Sequence, residues 1–440
     1  MKKVLYLIAL IVILGTVVFA SDMEYIFERQ VGGNEGKLPS EFDYPVCITS
    51  DTYGNIYVTD WNNSRVQKFS SEGKFLLEIG NQSSPKLKKP IGIDIDNDNN
   101  IYVVDYGNNR VIKYDENGNL ILTFGKFGSK DGEFRSPRGI FVDRLKDEVI
   151  VADYSNYRIQ IFDLDGKFKK AIKCYDPSTK KNYNPRSAAR DKSGFTYIVF
   201  TRENNIWKIN ENGEIVLKFG GEGSEPGQFK SPRYINTDNL DNIYVTDYSN
   251  NRVQIFTTDG KCRGYFGEKG TEPGKFNNPE GIFVNRKADL YIVDSENNRF
   301  QIFRAPEITH LKSLAAWYKT SNDQEELENV YKKIFDIEPD NTEAKKYVLA
   351  SLVRELENAN EDEEIRAAAQ KVLTMDNTQE DALKALEQLK EKQIRLEKKK
   401  KVRLIIVLVI LLIVIIILIM VLKPQKKQKR KDENNKIIMW

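Results

Sequence analysis

The chain holds 440 residues, with 67 basic against 64 acidic side chains and a net charge of +3 at pH 7. That near-balance gives no basic field for a polyanion, so nucleic acid is a poor partner on charge. With one histidine, His310, and three cysteines, a zinc centre built on several histidines, Ser-His-Asp or Cys-His catalysis, and a disulfide scaffold are all excluded.

In chain order, residues 1–20 open with Met-Lys-Lys, run through an apolar stretch and end in Val18-Phe19-Ala20 before Ser21. This is the layout of a secretory signal with a small-residue cleavage site, an uncleaved anchor being the alternative. The segment from Tyr25 to Gly36 then reads like the end of a unit met later, Gly264 to Gly270. From there one unit recurs six times, each opening at a proline: Pro45, Pro90, Pro137, Pro185, Pro232 and Pro279. Spacings of 45 to 48 residues, with four short alternating or β-branched runs per unit, predict propeller blades and not helical repeats. The last unit, Pro279 to Phe303, has only three such runs. The segment 25–32 is expected to supply the fourth, closing a six-bladed ring and pairing two otherwise open edges.

Five blades carry Asp and Arg five residues apart: Asp60 and Arg65, Asp105 and Arg110, Asp153 and Arg158, Asp247 and Arg252, Asp294 and Arg299. Blade 4 has Phe200 and Asn205 there. Losing both members together is what a charge pair requires, because a lone buried charge costs roughly 3–5 kcal/mol. These are therefore read as structural ion pairs pinning the turn between the second and third strands, and not as catalytic carboxylates.

The lines Ile56-Tyr-Val-Thr-Asp60-Trp-Asn-Asn-Ser-Arg65-Val-Gln-Lys-Phe69 and Ile243-Tyr-Val-Thr-Asp247-Tyr-Ser-Asn-Asn-Arg252-Val-Gln-Ile-Phe256 resemble the NHL repeat, over about residues 25–304. That resemblance implies a propeller whose relatives bind proteins, nucleic acids or glycans, a minority being enzymes. Blade 4 departs from the pattern, being either specialised or decayed. The histidine-held zinc of the amidating lyase, a propeller relative, has no ligands here. A carboxylate-held calcium, as in lactonase propellers, is the remaining cofactor option, and Asp94, Asp96 and Asp98 form the densest acidic cluster; an Asp/Asn tight turn is its default reading. No other cofactor or metal is expected. Cys47 is expected in the core of blade 1, and Cys174 and Cys262, with blade 4 between them, are not expected to bridge.

Just after the blade prolines, Arg138, Arg186 and Arg233 occupy one repeat position in blades 3, 4 and 5, where the others have Val46, Ile91 and Glu280. The start of an innermost strand lies near a channel mouth, so the three form an arc there. Trp61, Tyr106, Tyr154 and Tyr248, which follow the Asp column, are expected at the same mouth. Guanidinium groups grip carboxylates bidentately and aromatics suit sugars or peptides, so an anionic protein segment or carboxylated glycan is the expected ligand. The competing reading pairs each Arg with a loop acid.

Past Arg304 the composition turns to Glu, Lys, Ala and Leu at helical spacing. Val330 to Ala344, through Pro339, resembles the junction of two tetratricopeptide repeats and is echoed from Val372 to Ala382; a plain helical spacer is the alternative. From Leu404 to Leu422 no residue is charged, and as a helix this run would reach roughly 28 Å, enough for a bilayer core of about 30 Å. Basic residues flank both ends, Lys398–Lys401 before and Lys423, Lys426 and Lys427 after, so the signal sequence decides topology. The expected organisation is a signal at 1–20, a mainly β six-bladed propeller at 21–304, an α-helical stalk at 305–400, a transmembrane helix at 404–422 and a basic tail at 423–440 lying on anionic lipid in the cytoplasm. Lys, Ile and Asn richness with a Sec-type signal points to a bacterial membrane, with the propeller outside. The expected function is a non-catalytic binding or scaffold module; the rivals are an exported hydrolase or lyase using a carboxylate-bound cation, and a sensor.

Overall fold

The computed structural model describes residues 17–20, 23–80, 85–358 and 379–422. Most of the expected signal, most of the second helical echo and the whole basic tail lie outside these residues.

Each repeat folds into a four-stranded antiparallel meander, and six of them stand around a channel. Blade 1 is Pro45–Ser50, Ile56–Asp60, Arg65–Phe69 and Phe75–Ile79. The Ile-Tyr-Val-Thr-Asp type of second strand is buried at every position in blades 1, 2, 5 and 6, because neighbouring blades cover both of its faces. The outermost strands, such as Ile215–Gly220, instead alternate between half-buried and exposed. The innermost strands neighbour one another in unbroken order around the channel.

Closure is by the N-terminal strand, as the sequence predicts. Met23–Gly32 runs antiparallel to Arg299–Arg304, with Phe27 opposite Phe303 and Gly32 opposite Arg299. Tyr25 keys this strand to blade 5: its buried hydroxyl lies 2.9 Å from that of Tyr244, and its ring stacks on Phe266 with centroids 5.7 Å apart. Outside it, Val17–Ala20 adds a fifth strand to the same sheet, so cleavage after Ala20 would remove a strand that the ring does not need for closure.

The compact unit that contains the propeller runs on to Pro339, beyond the boundary at 304 drawn from composition. It includes α1 (Glu307–Ser321) and α2 (Gln324–Ile337), which pack on each other. The α2 helix is N-capped by Asp323 and buries Leu327, Val330, Tyr331 and Ile334. The α1 helix is fixed to blade 6, where Ser313 Oγ donates to the Arg286 carbonyl at 3.0 Å and the Arg286 guanidinium lies 3.8 Å from the Trp317 ring centroid.

The second unit, Asp340–Trp440, contains α3 (Thr342–Asn358) and α4 (Gln379–Leu422). The expected stalk is helical over its described residues. The helix α4 continues through 404–422, yet among the described residues no helix is long and apolar enough to cross a membrane. The described side chains of that run stop at Ile413.

Candidate binding site at the arginine mouth

The Asp column fixes the backbone around this mouth. Asp60 accepts from the Asp43 backbone N–H at 2.9 Å, Asn63 Nδ2 at 2.9 Å, Arg65 Nε at 2.8 Å and Gln67 Nε2 at 3.4 Å. Matching ion pairs join Arg110 to Asp105 (2.8 Å), Arg158 to Asp153 (2.9 Å), Arg252 to Asp247 (2.8 Å) and Arg299 to Asp294 (2.7 Å). Burial raises the Asp60, Asp153, Asp247 and Asp294 carboxyls above the ordinary range, and their hydrogen bonds pull them part of the way back. Every partner named here is a donor, which favours the ionised form of each carboxylate. Arg65 also binds the carbonyls of Lys37, Leu38 and Glu41. The pair thus clamps the preceding interblade loop as well as the turn that the spacing pointed to.

In blade 4 the Asp, Arg and Gln positions hold Phe200, Asn205 and Trp207. The rings of Phe200 and Trp207 are 4.5 Å apart, and Tyr183 lies 4.8 Å from Trp207. An aromatic plug replaces the ion pair, so this departure is a coherent substitution. The Trp in the Gln column was its legible signal; Tyr183, on an irregular segment, gave none.

Pro45 pairs with Asp60, Pro90 with Asp105, Pro137 with Asp153, Pro232 with Asp247 and Pro279 with Asp294. The starts of the innermost strands and the residues after the Asp column therefore lie at the same end of the ring. There the Arg138 guanidinium stacks 4.3 Å from the Tyr154 centroid and 5.5 Å from that of Tyr106. Arg233 stacks on Tyr248 at 4.2 Å and Arg186 on Tyr234 at 5.4 Å. Trp61 packs beside Tyr106 with centroids 5.0 Å apart. The residues singled out from sequence for this mouth do come together.

Their counter-charge was missed. Glu280, at the same repeat position in blade 6, accepts from Arg186 at 2.6 Å and lies 3.6 Å from Arg233 Nε. Tyr44, also missed, places its hydroxyl 3.1 Å from that of Tyr248 and 3.5 Å from Glu280. Two arginines thus share one carboxylate, and among the described residues no acid forms an ion pair with Arg138. Glu203, on the blade 4 loop at this end, has a buried oxygen without a hydrogen-bond partner. Burial, then the neighbouring charge of Arg186, lowers Arg138 to about 10. Burial would also lower Arg186, but Glu280 outweighs it and holds Arg186 above the ordinary value.

Besides Glu203, the buried donors at this mouth without a hydrogen-bond partner are the Nε of Arg138, Arg186 and Arg233 and the Tyr234 hydroxyl. Arg186 is 3% exposed and Tyr234 4%. Each such atom costs about 1–3 kcal/mol if nothing binds it.

The opposite end holds a cavity of about 550 Å³, lined among others by Asp143, Arg144, Arg190, Asp238, Arg286 and Trp317. Its charges are largely paired internally: Arg190 with Asp143 at 2.8 Å and Glu148 at 2.7 Å, Arg144 with Asp94 at 2.9 Å. Asp96 accepts from the backbone N–H groups of Asp98 and Asn100 at 3.0 and 2.8 Å and from the Tyr102 hydroxyl at 3.1 Å, the geometry of a self-satisfied turn. Among the described residues no three His, Cys, Asp or Glu side chains are grouped so as to hold a metal. All three cysteines are free, and burial pushes the Cys47 thiol up to about 12.

A family model of the NHL repeat matches residues 42–69 and 87–114, and another, described as a 6-bladed beta-propeller, matches 222–306. The chain carries NHL repeats. Protein brain tumor of Drosophila melanogaster is 35% identical over 135 residues, 30% of this chain and 12% of that protein. Protein lin-41 of Caenorhabditis elegans is 61% identical over 44 residues, 10% of this chain and 4% of that protein. The match therefore spans only a small part of the length of these relatives. Among solved structures, a protein of unknown function from Bacteroides thetaiotaomicron aligns over 66% of this chain and 84% of its own, with a TM-score of 0.50 and 13% identity. This likeness is one of fold.

Proposed function

We propose that this NHL propeller is a non-catalytic binding module that takes an acidic segment of a partner protein at the arginine mouth. The observation that carries this reading is the convergence there of buried donors without a partner, Arg138 Nε, Arg186 Nε and the Tyr234 hydroxyl, beside Arg233, whose Nε has only the Glu280 carboxylate at 3.6 Å. Buried polar groups are ordinarily paired, and unpaired ones call for a missing ligand, ion or water. Stacked tyrosines hold two of the guanidinium planes in place, which lowers the ordering cost of binding. A hydrolase or lyase with a carboxylate-held cation would need acidic side chains converging on the channel, and no observation favours one. In the same proposal, the N-terminal segment exports the propeller, the uncharged run 404–422 anchors it in a bacterial cytoplasmic membrane, and the basic tail lies inside. The helical segment between them, repeat-like or plain spacer, holds the mouth away from the bilayer.

The test is calorimetric titration of the full chain in detergent with an acetylated oligoglutamate peptide, an uncharged peptide of equal length and a single-stranded oligonucleotide. Binding of the acidic peptide alone, weakening with salt and lost in the Arg138→Gln, Arg233→Gln double variant, is expected. Equal binding of both peptides, or a preference for the oligonucleotide, would overturn the reading.

A further inference from the structure

The arc of three arginines has two gaps. Glu280 bridges the one between Arg186 and Arg233. Among the described residues no carboxylate occupies the other, between Arg138 and Arg186. Stacking on Tyr106 and Tyr154 fixes the plane of Arg138 without neutralising it. Tyr234 of blade 5 has Arg186 over its ring and feels the charges of both Arg186 and Arg138, and its buried hydroxyl has no partner. The unpaired donors on this side are Arg138 Nε, Arg186 Nε and the Tyr234 hydroxyl. Two nitrogens and one hydroxyl suit an oxyanion with two oxygens, and the same arc already holds one such group in Glu280.

Taking the mouth to be the anion-binding site argued above, we propose that the gap between Arg138 and Arg186 is a carboxylate subsite, filled by one Asp or Glu side chain of the ligand, which accepts from Arg138, Arg186 and the Tyr234 hydroxyl. Glu280 is then the built-in half of a two-carboxylate arrangement, and the ligand brings the other half. Arg138 and Tyr234 determine specificity, whereas Arg233, already served by Glu280, contributes little to this subsite.

The experiment compares the acetylated oligoglutamate peptide on the full chain, wild type against Arg138→Gln, Tyr234→Phe and Arg233→Gln. Loss of a hydrogen bond to a charged group corresponds to about tenfold in affinity or more. Arg138→Gln and Tyr234→Phe should each weaken binding by about that factor, and Arg233→Gln by less than about threefold. If Arg138→Gln and Arg233→Gln weaken binding equally and Tyr234→Phe leaves it unchanged, the subsite is refuted while the mouth remains an anion site. If the wild type does not bind the peptide at all, both readings fall. A second measurement needs no variant: on titration of the wild type with sodium acetate, the Nε–H resonances of Arg138 and Arg186 should shift together, with that of Arg233 unmoved. A shift of Arg233 alone, or tighter binding of inorganic phosphate than of acetate, would refute the carboxylate assignment.

Discussion

The two ends of the channel are built by one repeat and come out as opposites. At the α1 end there is a cavity of about 550 Å³, yet the acids around it are held in tight turns or paired with arginines, and none of its lining side chains has a buried atom without a partner. At the arginine end the side chains crowd together, and buried polar atoms of Arg138, Arg186, Tyr234 and Glu203 are left without a hydrogen-bond partner. Volume alone would favour the first end as a ligand site. Hydrogen-bond satisfaction favours the second, because a polar group taken out of water demands a partner whereas an empty polar cavity simply fills with water.

The largest effect that sharpens this contrast is expected in the clamp. Arg65→Ala leaves Asp60 buried without its guanidinium and should cost about 3–5 kcal/mol in chemical or thermal unfolding. Arg138→Gln, by contrast, removes a cation with no carboxylate partner, so its melting temperature should be at least that of the wild type even as peptide affinity falls about tenfold. A wild-type Arg138 that proved essential for folding would break the comparison.

Titration gives a third test. With Arg186, Tyr106, Tyr154 and Tyr234 facing it, Arg138 lies at about 10 in the folded chain, below its ordinary value, with burial as the main cause. Its folded pKa is depressed, so the strain of its charge is fully present below pH about 10 and relieved as the pH rises through that value. Across the neutral range the guanidinium keeps its charge in the folded chain, so peptide affinity should stay constant there, which calorimetry would register. The smallest effect is expected at the other end: Trp317→Ala removes the stacking on Arg286, worth about 0.5–2 kcal/mol of stability, and should leave peptide affinity unchanged. A loss of affinity there would mean that the two ends are not independent.

Most of the ring was legible because its signals are periodic. The prolines, the Asp and Arg columns and the missing fourth strand of blade 6 each repeat or break a pattern, and a period survives without coordinates. The arc of Arg138, Arg186 and Arg233 was legible for the same reason. Glu280 was visible at the same position, yet its role as counter-ion depends on its reach across the channel to blade 4, which no local spacing encodes. Tyr44 and Tyr234 were missed because each is one residue out of the columns being read. The seating of α1 on blade 6 was also illegible, since Arg286 and Trp317 belong to different elements and a stacking contact leaves no pattern in composition.

The closing strand has a consequence for how the molecule is made. Gln30 and Arg299 are bonded across 269 positions of sequence, so the first β-segment of the blades to be synthesised is among the last to find its place. Blades 1 to 5 can each form from contiguous hairpins, but the ring cannot lock until residue 304 is available. Contacts of such sequence separation are slow to form, and until then Met23–Gly32 and Arg299–Arg304 expose bare strand edges that pair readily with a neighbouring chain. Ring closure is therefore the step at which this protein is most exposed to entanglement with its own copies, and refolding yield should fall with concentration faster than the stability of the finished ring would suggest.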